Sequence, residues 1–138
     1  MSLPFEVREA SALDALQFAG ARPMLRKMLP YQARRFPSLL VLRAGVPVAF
    51  VTFASHPRRR VEFAMLVKPQ AQSMMVGLVR LAHLTLCQLA QDGTRFYAHV
   101  RATSEVARRM ARLVGFRPLR FRDGSIWLFR EARHDRFG

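Results

Sequence analysis

Glu62 is the one acidic residue between Asp14 and Asp92, and it stands two positions after the basic run Arg58-Arg59-Arg60. A carboxylate in that position can take a proton as a general base, or serve as a surface partner for the neighbouring arginines. His56 and His99 are further possible bases. Each lies outside any motif, however, and a single histidine on a strand is also an ordinary structural residue. No Cys/His cluster has the spacing of metal ligands, so no metal is expected. Nor do Ser, His and Asp recur as a nucleophilic triad would require.

The chain carries 23 basic against 9 acidic residues, a net charge of +14, and its only lysines are Lys27 and Lys68. Arginine forks match phosphate and carboxylate well. The charge therefore suits a polyanion, such as nucleic acid, CoA or an acidic protein surface, without sequence specificity of its own. A coat of solvated arginines is the plainer reading. Hydrophobic residues at 51% and charged ones at 23% of 138 residues describe one ordinary folded domain. The expected division is a domain over residues 1–130 and a polar tail over 131–138. The most apolar stretch, Met74 to Ala90, is interrupted by Arg80, His83 and Gln88 and is no membrane span. The start lacks the pattern of a signal peptide, and Cys87 has no cysteine to pair with, which fits the cytoplasm.

Around these residues the elements can be placed. Phe5 to Arg8 alternates as an edge strand, and Ser11-x-x-Asp14 opens a helix that Gly20 stops. A second helix starts at Pro23, and Pro30 is expected to end or kink it, leaving Tyr31 to Phe36 as a further turn or a loop. Leu39 to Leu42, Val46 to Ala54 and Val61 to Val67 read as an antiparallel meander, turning at Ala44-Gly45 and at His56 to Arg60. Ala71 to Gln91 is the longest helix, apolar around most of its circumference and hence expected to be buried on more than one side. Arg95 to Val100 is a strand. Thr103 or Ser104 caps a last helix with Val106, Ala107, Met110, Leu113 and Val114 on one face, Arg108, Arg109 and Arg112 on the other, and Gly115 beyond its end. Asp123-Gly124 sets a hairpin between Phe116–Phe121 and Ser125–Phe129. The fold class is α/β with a mixed sheet and helices on both faces. The strands flanking the long helix lie parallel and are joined right-handedly.

This order resembles that of the Gcn5-related N-acetyltransferases over essentially the whole chain, a single-domain acyl-CoA N-acyltransferase fold. Pro69-Gln-Ala-Gln72-Ser-Met-Met75-Val-Gly77 matches the family's Pro-x-x-Arg/Gln-x-x-Gly-x-Gly at the strand-to-helix junction. Ser104-x-x-Ala107-x-x-Met110-Ala111-x-x-Val114-Gly115-Phe116 is similar to its closing Asn-x-x-Ala-x-x-Leu-Tyr-x-x-Leu-Gly-Phe. The resemblance implies acetyl-CoA as cofactor, its pyrophosphate held on helix-terminal amides. Val67, Gln72, Ser73, Met75, Val76 and Gly77 would bind it, with Arg108 or Arg101 near a CoA phosphate. The sequence departs from the family pattern twice. Met75 replaces the first motif glycine and fills space the phosphates would need, and Ala111 stands where the family's proton-donating Tyr would be.

The activity implied is direct transfer of acetyl to an amine, with Glu62 as base and Ser104 in the Asn position as a weaker hydrogen-bonding group. The alternative is a catalytically silent domain of this fold, kept as a basic binding or assembly module. Its partner would be nucleic acid or a large complex, a phage virion among them.

Overall fold

The computed structural model describes residues 5–101, 103–119 and 125–129. Its elements run β1 (Glu6–Glu9), α1 (Ala12–Ala19), α2 (Pro23–Arg35), β2 (Ser38–Arg43), β3 (Val46–His56) and β4 (Arg60–Val67). A 3₁₀ helix (Pro69–Met74) then leads into α3 (Met75–Leu89), and a second (Ala90–Asp92) leads to β5 (Arg95–His99), α4 (Glu105–Val114), β6 (Phe116–Pro118) and β7 (Ile126–Phe129). The strands are hydrogen-bonded in the order β1-β2-β3-β4-β5-β7-β6. The chain forms two compact units, Met1–Ala54 with Phe63–Ser73, and Ser55–Glu62 with Met74–Gly138.

In the first unit β1 pairs antiparallel with β2, and β2 with β3. The β2–β3 connection is the expected Ala44-Gly45 turn, with φ of 52° and 79°, the left-handed pair that a tight hairpin requires. Val48 through Thr52 are all buried, so this stretch of β3 is covered on both faces. Ser11 caps α1 as the sequence indicates: its Oγ accepts from Asp14 N–H at 3.1 Å, and Asp14 Oδ2 accepts from Ser11 N–H at 2.9 Å.

Pro30 does not end α2, which continues through it to Arg35. An interior proline removes one backbone bond and costs about 3 kcal/mol. Leu25, Leu29 and Ala33 recur at helical spacing across it, and all three pack on the cluster of Ala15, Phe18, Ala19, Leu40, Leu42 and Phe50. That burial outweighs the local penalty.

In the second unit β4 and β5 run parallel, Arg60 opposite Arg95, Val61 opposite Phe96 and Glu62 opposite Tyr97. The parallel pairing foreseen across the long helix is therefore present. Antiparallel β7 joins β5, and β6 joins β7. The helix itself is shorter than expected, because its first and last turns are 3₁₀. It is also buried along one stripe only, Leu78, Val79, Ala82 and Leu86, while Val76, Leu84 and Leu89 are exposed. The apolar face expected of α4 is likewise mostly open. Val114 is buried, but Val106 and Leu113 are more than 60% exposed, at 66% and 62%. Gly115 ends α4 at φ 124°. The Asp123-Gly124 turn, with Arg120 and Arg122, and the polar tail lie outside the described residues.

Candidate active-site cleft

Strand alternation decides which side chains meet. Residues two apart share a face, and partners in a parallel ladder share it too. Glu62 opposite Tyr97 thus brings Arg60 and Glu62 of β4 and Tyr97 and His99 of β5 to one face. The buried Phe63 and the buried Phe96 and Ala98 alternate away from it. On the far side of β5, His99 pairs with Ile126 of β7, and Leu119 N–H donates to Ile126 O at 3.0 Å. His56, the last residue of β3, completes the ring. Together His56, Arg60, Glu62, Tyr97, His99, Leu119 and Ile126 line a cleft of about 330 Å³. That volume is at the small end of ligand sites, suited to one small group and not to a large one.

Among the described residues Glu62 is the only carboxylate lining the cleft. Its Oε1 lies 3.5 Å from His56 Nε2 and its Oε2 lies 3.8 Å from His99 Nε2, ion-pair distances when the imidazoles are protonated. The Glu62 side chain is 37% exposed, and the two histidines are more open still, at 48% and 62%. The group is reachable by solvent and ligand on both flanks. Sequence reasoning offered the arginine run as the partner of Glu62. Among the described residues its ion-pair partners are instead the two histidines, whose joint placement was missed. Adjacency of β4 and β5 is what brings His99 in, and no local motif carries that.

Of the arginine run, Arg60 lines the cleft. Arg58 and Arg59 both have left-handed backbone, φ 65° and 56°, in the turn between β3 and β4. The turn is tied down by Arg95 N–H donating to Arg59 O at 2.9 Å and Arg59 Nη1 donating to Asp92 O at 2.7 Å. Arg60 Nε donates to Pro57 O at 3.2 Å. Asp92 itself is anchored by Thr94, whose hydroxyl and amide donate to its carboxyl and hold it below the usual carboxylate range.

The residues expected to bind a cofactor fall at one junction. Val67 ends β4, Gln72 and Ser73 lie in the 3₁₀ turn, and Met75, Val76 and Gly77 make the first turn of α3. Val76 is 82% exposed, whereas Met75 and Gly77 are half-buried. Met74 at the start of α3 gives no side-chain cap, in contrast to Ser11 on α1 and Ser104 on α4. Within the 3₁₀ turn amides are partly used, Ala71 N–H donating to Lys68 O at 2.9 Å. Ser104 Oγ accepts from Ala107 N–H at 3.1 Å as the α4 cap, which leaves its hydroxyl proton to donate. It is not among the residues lining the cleft. Arg108 is half-buried on α4, and Arg101 is exposed just ahead of it.

The basic surface is less uniform than the charge suggests. Arg112 stacks over the Trp127 ring at 5.1 Å, Arg117 donates to Arg112 O and Phe116 O, and Arg26 donates to Gly20 O. Part of the arginine complement is thus structural. Among the described residues no group of His, Cys, Asp and Glu could hold a metal ion. No described helix is long and apolar enough to cross a membrane.

No protein-family model matches the chain, and no curated protein sequence is significantly similar to it. Solved structures do match. YncA from Salmonella typhimurium, solved with its cofactor acetyl-CoA, superposes with a TM-score of 0.68 at 17% identity, covering 95% of this chain and 96% of that one. The ribosomal-protein-S18-alanine N-acetyltransferase from Escherichia coli gives 0.65 at 19%, covering 91% and 92%. The PaiA N-acetyltransferase from Thermoplasma acidophilum, in complex with coenzyme A, gives 0.63 at 14%, covering 93% and 97%. At such identities the likeness establishes the fold, and the fold is that of the Gcn5-related N-acetyltransferases.

Proposed function

We propose that this chain transfers an acetyl group from acetyl-CoA to an amine, with Glu62 as the base that takes the proton of the acceptor. The observation that carries this reading is the carboxylate of Glu62 in the cleft, set between two imidazoles in an acetyltransferase fold. Solved proteins of this fold with acetyl-CoA or coenzyme A bound support the choice of cofactor.

The anionic cofactor is assigned to the junction before α3, where the resemblance puts it. No side chain caps the start of α3, and the partial positive charge of a helix end would favour a pyrophosphate there. Val67, Gln72, Ser73, Val76 and Gly77 would hold it, Met75 would narrow the cradle, and Arg108 would meet a phosphate. When bound, the cofactor supplies an activated thioester carbonyl.

The acceptor enters as an ammonium, which is not nucleophilic. Glu62 removes one proton, and the nitrogen lone pair forms the new N–C bond as the C–S bond breaks. The nitrogen gives up its second proton and the departing sulfur takes one, so acetyl-amine, thiol and one net proton result. Position 111 is alanine and contributes nothing to this, so the sulfur is protonated through water. His56 and His99, at 3.5 and 3.8 Å from the two carboxylate oxygens, would each pass the proton from Glu62 to solvent through one intervening water.

The test is release of CoA thiol in the presence of acceptor amines, with Glu62→Gln as control. Acetyl-amine formation by the wild type and its loss in the variant support the reading. The rival role as a basic module rests on Met75, Ala111 and the excess of arginine, and the structural use of Arg112 and Arg117 weakens the last of these.

A further inference from the structure

We propose that the acceptor is a small amine that also carries an anionic group, a carboxylate or phosphate, read by Arg60 at the cleft. The proposal rests on the acetyltransferase reading and adds the substrate class to it.

The argument begins with the charges on one strand face. Glu62 and Arg60 both line the cleft, two residues apart on β4. Alternate residues of a strand lie about 7 Å apart along it, side chains on the same side. A zwitterion of a few bonds spans that gap, its ammonium toward Glu62 and its anion toward Arg60.

The partners already taken point the same way. Both carboxylate oxygens of Glu62 are approached by imidazoles, and among the described residues no carboxylate pairs with Arg60. Among the described residues Arg60 hydrogen-bonds through its Nε, with Pro57 O. Its terminal nitrogens remain for a planar or tetrahedral anion, which a guanidinium binds through paired hydrogen bonds.

The turn beside it gives an independent reason. Arg58 and Arg59 both sit in the left-handed region, where glycine, asparagine or aspartate cost less. The Ala44-Gly45 turn uses a glycine at its second left-handed position. Here arginines stand at both, and Arg59 is held there by accepting from Arg95 N–H and donating to Asp92 O. Strain of this kind persists where its surroundings fix it, and it clusters at ligand sites. The turn leads directly into Arg60, which lines the cleft. A polyamine would satisfy Glu62 with its first nitrogen and set another against Arg60, which disfavours it.

The experiment measures thiol release by the full chain with acetyl-CoA and matched acceptors. β-Alanine is compared with β-alaninamide, O-phosphoethanolamine with ethanolamine, and spermidine is run alongside. The anion-bearing member of at least one pair should exceed its neutral match by about tenfold in kcat/KM, the size of one hydrogen bond to a charged group. Which pair shows the larger ratio separates carboxylate from phosphate. Arg60→Gln should abolish the preference by raising KM for the anionic acceptors alone, and Arg60→Lys should restore part of it. Equal or faster turnover of spermidine or the neutral amines overturns the proposal. So does an Arg60→Gln effect equal on all acceptors, or acetyl-CoA binding with no anionic acceptor acetylated. Absence of acetyl-CoA binding is a different result, and it removes the acetyltransferase reading itself.

Discussion

His99 Nε2 stands 3.8 Å from Glu62 Oε2, on the strand that pairs in parallel with the strand carrying Glu62. His56 approaches the other carboxylate oxygen at 3.5 Å. A carboxylate held between two solvent-reachable imidazoles can accept a proton and lose it again without leaving its place.

Glu62→Gln keeps the shape and removes the proton acceptor. Turnover should fall by roughly a hundredfold or more, with KM for acetyl-CoA unchanged. The remaining activity should rise with pH only as the free amine fraction rises. His56→Asn and His99→Asn should each give smaller losses, concentrated at low buffer concentration, where proton removal from Glu62 depends on the imidazoles. A Glu62→Gln enzyme with wild-type turnover from pH 6 to 9 would leave Glu62 a surface residue.

The capping box at α1 predicts both a stability loss and a pH effect. Ser11→Ala should cost about 1 kcal/mol in urea unfolding. The carboxyl of Asp14 is held below its ordinary value first by the Arg8 guanidinium, at 3.0 Å, and then by the amide and hydroxyl of Ser11. A folded-state value below the unfolded one adds stability that is fully present above about pH 4. It is lost as pH falls through the lowered value. Asp14→Asn should therefore destabilise at pH 6 and have little effect at pH 2.

Gly115 is a site of close approach. A Cβ there would meet Phe129 Cε1 at 2.8 Å and His83 Nδ1 at 3.1 Å, with backbone φ at 124°. Neither ring can withdraw easily, since Phe129 is buried and His83 Nδ1 bonds Val114 O at 2.6 Å. Gly115→Ala should cost about 2 kcal/mol, combining overpacking with backbone strain. A thermal melt shifted by less than a degree would show that the α4–β6 corner relaxes around the methyl.

Local signals in the sequence identify some of these features and miss others. Ser11, Gly45, Ser104 and Gly115 act within a few residues of themselves, so their caps and turns are legible from neighbours alone. The passage of α2 through Pro30 is not legible, because the Leu25, Leu29 and Ala33 stripe gains its energy from distant strands. The open faces of α3 and α4 escape for the same reason. Apolar Val76, Leu84, Val106 and Leu113 look like core residues until the packing leaves them out. At the site, Glu62 is visible as an acid isolated in a basic stretch, whereas its histidine partners are 6 and 37 residues away and meet it only through strand pairing.

The most direct test of the account is calorimetric titration of the full chain with acetyl-CoA, beside the Met75→Gly variant. The account predicts one saturable site per chain, a melting temperature that rises with excess ligand, and tighter binding when the Met75 side chain is removed from the α3 start. No heat and no thermal shift at about millimolar acetyl-CoA, in either protein, would contradict it, since such concentrations exceed typical substrate constants.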